Sequence, residues 1–230
     1  MKKLVILTGA GMSAESGIST FRDSNGLWNN YPVEQVATPE GFAANPQLVL
    51  DFYNYRRREL LISEPNEGHK GLAALENIFE VHIITQNVDN LHERAGSSHV
   101  VHLHGELMKS CSVNNPDKAF PILPECPDIN VGDKAPDGSQ LRPFIVWFGE
   151  AVPKIEEAIS YVETSDIFVI IGTSLNVYPA AGLLNYVRNG QPIFLIDPKE
   201  VITHRKDIEF IQTGASEGVK LLTEKLAKMI

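Results

Sequence analysis

The stretch Gly9–Trp28, GAGMSAESGISTFRDSNGLW, is the most informative feature of this chain, because it directly follows an apolar run, Lys3–Thr8, that is typical of a buried strand. The Gly-Ala-Gly at its start lacks the side chains that would keep backbone N–H groups away from a bound phosphate. Ser13 can cap a following helical turn, and Arg22 can pair with an anionic group. The stretch therefore predicts a nucleotide-binding loop at the end of the first strand.

The same loop does not predict an ordinary dehydrogenase. Gly9, Gly11 and Ala14 satisfy the permissive form of the dinucleotide fingerprint. An acidic residue should end a second strand about 20 residues later, but the chain has Asn29–Pro32 there, which is no strand end. A tight strand-to-helix turn without a nucleotide is the alternative at this point.

The bulk composition is that of a globular enzyme in a reducing compartment. The 230 residues include 43% hydrophobic and 21% charged residues, and the net charge of −9 argues against general binding to nucleic acid. Two cysteines, Cys111 and Cys126, are too few for a disulfide framework. The apolar run Leu4–Leu7 is too short for a signal peptide, and no run is long enough to span a membrane. We expect a cytoplasmic protein with no membrane partner.

Alternating strands and helices predict an α/β fold, a Rossmann-type doubly wound parallel sheet. The predicted strands are Leu4–Leu7, Val81–Thr85, Phe144–Phe148, Ile167–Ile171 and Ile193–Ile196. The predicted helices are Pro46–Leu61, Gly68–Asn77, Ile155–Glu163, Ala180–Arg188 and Glu217–Met229. Strands without polar alternation are typical of a sheet covered on both faces.

A smaller helical and loop-rich lobe is predicted to be inserted into this sheet domain. The segment Cys111–Gln140 has five prolines and little periodicity. We expect a single catalytic unit over 1–230, with a large domain at about 1–25, 80–105 and 140–230 and a small lobe at about 26–79 and 106–139. A ligand would then bind at the carboxyl ends of the strands, between the two parts.

Polar clusters follow several of the predicted strands. Thr85–His92, TQNVDNLH, offers amides and a carboxylate that can bind ribose hydroxyls and a carboxamide, or cap the next helix. His102 and His104 alternate on one strand face, where they could be metal ligands; a single general base is the simpler interpretation. Gly172–Ser174 repeats the pattern of a strand followed by small polar residues, and a helix cap is its alternative function.

Together these clusters resemble the sirtuin family of NAD-dependent protein deacylases. The similar motifs are GAGMSAESGISTFR, TQNVDNLHERAG, HLHG, WFGE and GTSLNVYPAA, in the family's order, from about Lys3 to the C-terminus. The resemblance implies a Rossmann-type domain with a smaller lobe, NAD between them, and an acyl-lysine protein or peptide bound as an added strand.

The resemblance also implies site residues at the matching positions. The catalytic residues would be His104, Asn87 and Asp89, with His104 as the base in acyl transfer to the ribose of NAD. The NAD site would comprise Gly9, Ala10, Gly11, Ser13, Glu15, Phe21, Arg22, Trp28, Gln86, Asn87, Val88, Asp89, Gly172, Thr173, Ser174, Asp197 and Ala215. Substrate contacts would come from Tyr53, Arg56, Ala37, Phe148 and Gly149. Many relatives have Asn at the position of Asp197, where a carboxylate can still accept ribose hydroxyls.

The acyl group is indicated by Tyr53 and Arg56, which resemble the Tyr-x-x-Arg element of sirtuins that remove malonyl, succinyl and glutaryl groups. At i, i+3 on a helix the two side chains share a face, so that they can hold a distal carboxylate. Ala37 would leave room for the longer chain. The alternative is that Arg56–Arg58 form a solvated basic face with Tyr53 packed beneath.

The chain departs from the family in its metal-binding segment. Sirtuins carry two Cys-x-x-Cys pairs, but here the second positions are Asn114 and Ile129, after Cys111 and Cys126. Two thiolates cannot close a tetrahedral structural zinc site. Aspartates 117, 128 and 133 could contribute, but we expect no metal and a loop held by packing. NAD-dependent ADP-ribosyl transfer, NAD hydrolysis and a silent NAD sensor are the competing functions.

Overall fold

The computed structural model describes residues 1–20 and 31–229 of the chain. The strands in these ranges are β1 Lys3–Thr8, β2 Glu80–Thr85, β3 Val100–His102, β4 Gly105–Ser112, β5 Ala119–Pro121, β6 Leu141–Ile145, β7 Ile167–Ile171, β8 Ile193–Ile196 and β9 Ile208–Ile211. The α-helices are α1 Val33–Val36, α2 Pro39–Ala44, α3 Pro46–Ile62, α4 Glu67–Ala74, α5 Leu91–Arg94, α6 Ile155–Glu163 and α7 Ala215–Leu226. Short 3₁₀ helices span Ala10–Met12, Ala14–Ser16, Leu75–Asn77 and Ala180–Tyr186.

The main sheet has six parallel strands in the order β3-β2-β1-β7-β8-β9. From β1 the chain moves outward to β2 and β3, then returns to place β7 on the other side of β1. Thr8 at the end of β1 is level with Thr85 of β2 and Ile171 of β7. Ligands of such sheets bind where the strand order reverses, so the topology places a site beside the carboxyl ends of β1 and β7.

Apolar layers cover both faces of this sheet. One layer packs α4 and α7 against it through residues such as Leu72 and Leu222. The other layer packs α6 and the 3₁₀ helix Ala180–Tyr186 against the opposite face. The strand residues are buried on both faces, which explains their continuous apolar sequence and confirms the predicted α/β class.

A small lobe is built on a second, antiparallel sheet of three strands in the order β5-β4-β6. Its apolar core joins this sheet to α1, α2 and α3. Pro46 stands at the first turn of α3 and Asn45 caps it, with Oδ1 accepting from Leu48 N–H at 3.1 Å. The bounds of the two parts given above stay a prediction.

The structure corrects three assignments made from sequence. The run Phe144–Phe148 was predicted as a strand of the main sheet, but β6 ends at Ile145 and pairs with β4 in the small lobe. An apolar run indicates a buried strand but does not indicate to which of the two sheets the strand belongs. The predicted helix Ala180–Arg188 is a 3₁₀ helix that ends at Tyr186. The edge strand β9 was missed because Glu209 and the partly exposed Phe210 interrupt its apolar pattern.

Candidate active site

The glycine-rich loop after β1 lies directly against the loop after β7. Gly9 N–H donates to Ile171 O at 3.0 Å, and Gly11 N–H donates to Gly172 O at 2.9 Å. A Cβ on Gly11 would lie 2.7 Å from the Cα of Gly172, whose own φ of +63° also favours glycine. Two backbones in such contact leave no room for side chains, so glycine is required on both sides.

A cleft of about 660 Å³ opens beside these loops, between the main sheet and the small lobe. Most of the predicted site residues line it: Gly9, Ala10, Gly11, Glu15, Ala37, Tyr53, Arg56, Gln86, Asn87, Val88, His104, Phe148, Gly149, Gly172, Thr173, Ser174 and Asp197. Ser13, Asp89 and Ala215 are buried outside this lining. The predicted Phe21, Arg22 and Trp28 lie outside the described residues.

Ser13 and Asp89 act behind the cleft wall by holding Asn87. The Asn87 side-chain amide donates to Ser13 Oγ at 3.1 Å, and Ser13 Oγ donates to Asp89 Oδ2 at 2.9 Å. The other carboxylate oxygen of Asp89 accepts from Leu91 N–H at 3.1 Å. Burial raises the pKa of Asp89 despite these hydrogen bonds. The network fixes the orientation of the Asn87 amide that faces the cleft.

His104 follows β3 and is held in one tautomer. Its Nδ1 lies 3.1 Å from the carbonyl oxygen of Gln86, which can only accept, so Nδ1 carries the proton. The neutral ring then has its lone pair on Nε2. Burial lowers the pKa of His104 below its ordinary value, so that the ring is neutral and basic near pH 7.

His102 has a different environment from His104, although the two were predicted to share one strand face. Its Nε2 lies 2.7 Å from Glu93 Oε1, and its Nδ1 lies 3.1 Å from the carbonyl oxygen of Asn87. Burial opposes the charged ring, but the hydrogen bond and charge of Glu93 outweigh it and raise the pKa of His102. His104 is therefore the histidine suited to act as a base.

Tyr53 and Arg56 of α3 lie together at the small-lobe side of the cleft, with Ala37. Both are almost fully buried, at 5% and 4% exposure. Burial raises the pKa of Tyr53 to about 12, so the phenol keeps its proton. Burial also lowers the pKa of Arg56, and Glu59 opposes this with its carboxylate 3.3 Å from the guanidinium Nε. The pair offers a phenol and a guanidinium at a buried part of the cleft wall.

The three consecutive arginines of α3 do not form one solvated face, and that alternative is wrong for two of them. Arg57 is fully buried and donates to the carbonyl oxygens of Leu107 and Pro127, both at 2.9 Å. Arg58 is at the surface, paired with Asp128 at 2.6 Å. Only Arg58 behaves as an ordinary surface residue.

A cluster of side chains around Trp147 was not predicted from the sequence. The Trp147 indole Nε1 donates to Tyr53 OH at 3.1 Å. The guanidinium carbon of Arg142 lies 3.5 Å from the centre of the indole ring, and Arg142 binds both carboxylate oxygens of Glu150, at 2.7 and 2.9 Å. Trp147 and Glu150 belong to the WFGE motif, which was the available signal, whereas Arg142 had none.

The far end of the cleft is polar. Thr173 Oγ1 accepts from the Gln86 side-chain amide at 3.0 Å, which joins the loops after β7 and β2. Asp197, directly after β8, accepts from Lys199 N–H at 2.9 Å. Glu15 accepts from Ser216 N–H at 3.2 Å at the start of α7, where a carboxylate is favoured.

The two cysteines are free thiols in different surroundings. Cys111 is buried, with its sulfur 3.7 Å from the carbonyl oxygen of Pro143, and Cys126 is exposed. Within residues 1–20 and 31–229, no group of three or more His, Cys, Asp or Glu side chains is arranged to hold a metal ion. No helix in the same ranges is long and apolar enough to cross a bilayer.

Comparison with known proteins agrees with this geometry. Residues 9–179 match the model of the Sir2 family. A protein of Bacteroides thetaiotaomicron named NAD-dependent protein deacylase is 65% identical over 230 residues, covering 98% of each chain. A protein of the same name from Helicobacter pylori is 52% identical over 230 residues, covering 100% of this chain and 99% of its own.

Solved structures show the same fold. A Sir2 homologue in complex with ADP ribose has a TM-score of 0.89 at 39% identity, covering 98% of this chain and 94% of its own. A complex of a Sir2 homologue with NAD has a TM-score of 0.86 at 40% identity, covering 99% of this chain and 90% of its own. A Sir2 protein bound to an acetylated peptide has a TM-score of 0.79 at 31% identity, covering 97% of this chain and 93% of its own. The chain belongs to the Sir2 family, which confirms the resemblance seen in its motifs.

Proposed function

We propose that this chain is an NAD-dependent protein-lysine deacylase whose cleft accepts acyl groups that end in a carboxylate, succinyl and malonyl, as well as acetyl. The products would be nicotinamide, the free lysine and O-acyl-ADP-ribose. The deacylase activity is supported by membership of the Sir2 family and by the relatives named NAD-dependent protein deacylase.

The residues present fit NAD. The contact between Gly11 and Gly172 leaves backbone, not side chains, at the edge of the cleft where a pyrophosphate would approach. Gln86 and Asn87 present amides, and Asp197 presents a carboxylate to a ribose. When bound, NAD supplies an ADP-ribosyl group that receives the acyl group as nicotinamide departs. The glycine loops would hold the phosphates, and Asn87, fixed by Ser13 and Asp89, would orient the nicotinamide end.

His104 would act as the general base. Its hydrogen bond to the Gln86 carbonyl places the basic lone pair on Nε2, in a residue that lines the cleft. A ring kept neutral by burial can accept a proton from a ribose hydroxyl near pH 7. The imidazolium formed in this step would still donate through Nδ1 to the same carbonyl.

The single observation that carries the acyl specificity is the pairing of Tyr53 and Arg56 in the buried end of the cleft. A carboxylate at the end of a succinyl chain can accept from both the phenol and the guanidinium. Each hydrogen bond to a charged group contributes about 1.5–3 kcal/mol. That is roughly a tenfold to hundredfold preference over acetyl, which lacks this carboxylate.

The acyl-lysine substrate would enter as an added strand along the chain that follows β6. Phe148 is 44% exposed, and its backbone N–H donates to the carbonyl oxygen of Ala37 at 2.9 Å, so this segment links the small lobe to the cleft. The Sir2 structure with an acetylated peptide supports a peptide partner. We also propose a cytoplasmic location and no bound zinc.

The test compares NAD-dependent turnover of succinyl-lysine and acetyl-lysine forms of one peptide, for the native protein, Arg56→Met and Arg58→Met. We expect a succinyl preference in kcat/KM that Arg56→Met reduces at least tenfold, while the exposed Arg58→Met matches the native protein. Equal losses on both peptides in Arg56→Met would reject the pocket. Nicotinamide release that does not depend on any acyl peptide would point to NAD hydrolysis instead.

A further inference from the structure

Trp147 makes a contact that the proposed chemistry does not yet use. Its indole N–H donates to the hydroxyl oxygen of Tyr53 at 3.1 Å, although 94 positions separate the two residues in the chain. An indole N–H can donate but cannot accept. Tyr53 is therefore the acceptor in this contact, and its own O–H must point away from the indole.

The indole ring is fixed from several sides. The Arg142 guanidinium lies over its face at 3.5 Å from the ring centre, and the Phe42 ring lies 5.3 Å away at a tilt of 37°. The backbone N–H of Trp147 donates to Glu150 Oε2 at 2.7 Å. With 2% of the residue exposed, Trp147 has little freedom to turn, so the direction of its N–H is set by the fold.

The orientation of the phenol matters for a ligand carboxylate. A carboxylate only accepts hydrogen bonds, so Tyr53 helps to bind it only when its O–H points into the cleft. A hydroxyl whose oxygen accepts from a fixed donor has already turned its hydrogen away from that donor. Without the indole N–H, the hydroxyl oxygen of Tyr53 would lose its buried donor and the O–H could rotate.

We propose that Trp147 is a positioning residue for acyl specificity, which acts by fixing the hydroxyl of Tyr53 as a donor to the distal carboxylate of a succinyl or malonyl group. This inference rests on the carboxylate specificity proposed above. This positioning role would not affect an acetyl-lysine substrate, because an acetyl group has no carboxylate for Tyr53 to bind.

The first test is Trp147→Phe, which keeps an aromatic ring beside Arg142 and Phe42 and removes the N–H. We expect the ratio of kcat/KM for the succinyl peptide to that for the acetyl peptide to fall about tenfold, mainly through a higher KM for the succinyl peptide. In a Tyr53→Phe background, Trp147→Phe should cause no further loss on the succinyl peptide. Equal losses on both peptides, or additive losses in the double variant, would overturn the proposal.

A second test does not depend on catalysis. The chain has two tryptophans, so a ¹⁵N-labelled protein gives two indole N–H resonances, and Trp147→Phe identifies one of them. We expect Tyr53→Phe to shift that resonance, and a succinyl peptide without NAD to shift it in the native protein but not in Arg56→Met.

If the chemical shift of the Trp147 indole N–H is unchanged in Tyr53→Phe, the contact between the two residues is rejected. A second outcome is that the resonance shifts in Tyr53→Phe but the native protein shows no preference for the succinyl peptide. That outcome would reject the acyl specificity, and with it the positioning role, but would confirm the contact between Trp147 and Tyr53. The two failures are therefore distinguishable.

Discussion

Arg57→Met tests whether hydrogen bonds from α3 hold the proline-rich loop of the small lobe. Arg57 is fully buried, and burial lowers its pKa to about 10, so it remains charged at neutral pH. Its guanidinium binds the carbonyl oxygens of Leu107 and Pro127 and the side-chain oxygen of Asn54. Methionine keeps much of the alkyl volume but donates to none of them.

The magnitude follows from the acceptors left behind. Asn54 Oδ1 still accepts from Ile129 N–H at 3.0 Å, so two backbone carbonyls lose this buried donor. An unsatisfied buried acceptor costs about 1–3 kcal/mol, which gives a loss of roughly 2–6 kcal/mol. Domains unfold with about 5–15 kcal/mol in total, so the change is a large share of the stability.

The assay is urea unfolding followed by far-ultraviolet circular dichroism, with Arg58→Met as the matched control. The side chain of Arg58 is 53% exposed and pairs with Asp128 at the surface, a contact that contributes about 0–1 kcal/mol. We expect Arg57→Met to lower the free energy of unfolding by at least about 2 kcal/mol and Arg58→Met by less than half of that. Equal unfolding midpoints for the two variants would show that the hydrogen bonds of Arg57 do not stabilise the small lobe.

Three further predictions concern the cleft and the cysteines. Because burial lowers the pKa of His104, kcat/KM should fall as the pH is lowered through a pKa below the ordinary histidine value of about 6.5. His104→Ala should lower kcat/KM about 10²–10⁴-fold. A pH profile of kcat/KM that is unchanged in His104→Ala would contradict this role. Gly11→Ala places a Cβ 2.7 Å from the Cα of Gly172, so calorimetry should show weaker NAD binding, and native affinity would reject the backbone contact. Metal analysis should find no stoichiometric zinc at Cys111 and Cys126, and EDTA should leave the unfolding midpoint unchanged; one tightly bound zinc per chain would overturn this expectation.

Much of the main sheet could be predicted because its strands are buried on both faces. β1, β7 and β8 are largely apolar without alternation and are followed by glycine or a small polar residue, a pattern that local sequence shows directly. The placement of β6 could not be predicted, because its pairing with β4 depends on a partner some 30 positions away. Only the assembled lobe decides which sheet such a strand joins.

Motifs located most of the cleft residues and also Ser13 and Asp89 behind the cleft wall, but not Arg142. Gln86 could be placed because it follows a predicted strand, whose carboxyl end lies at the expected ligand edge of the sheet, and His104 was placed through the HLHG motif. Arg142 could not, because its contacts with Trp147 and Glu150 arise from the turn of the chain after β6. A local pattern contains no information on such a contact until the backbone path is known.

The geometry of α3 explains why the adjacent Arg56 and Arg57 have different surroundings. Tyr53 and Arg56 face the cleft, while Asn54 and Arg57, each one residue further on, face β4 and the proline-rich segment before β6. One residue turns a helix by about 100°, so the two pairs form neighbouring stripes, both buried. A helix with polar residues on two buried sides has no clear apolar face. The sequence of α3 therefore did not exclude a solvated basic face. Under the proposed specificity, substitutions at 53 and 56 should change acyl selectivity, whereas a substitution at 54 or 57 should lower the free energy of unfolding.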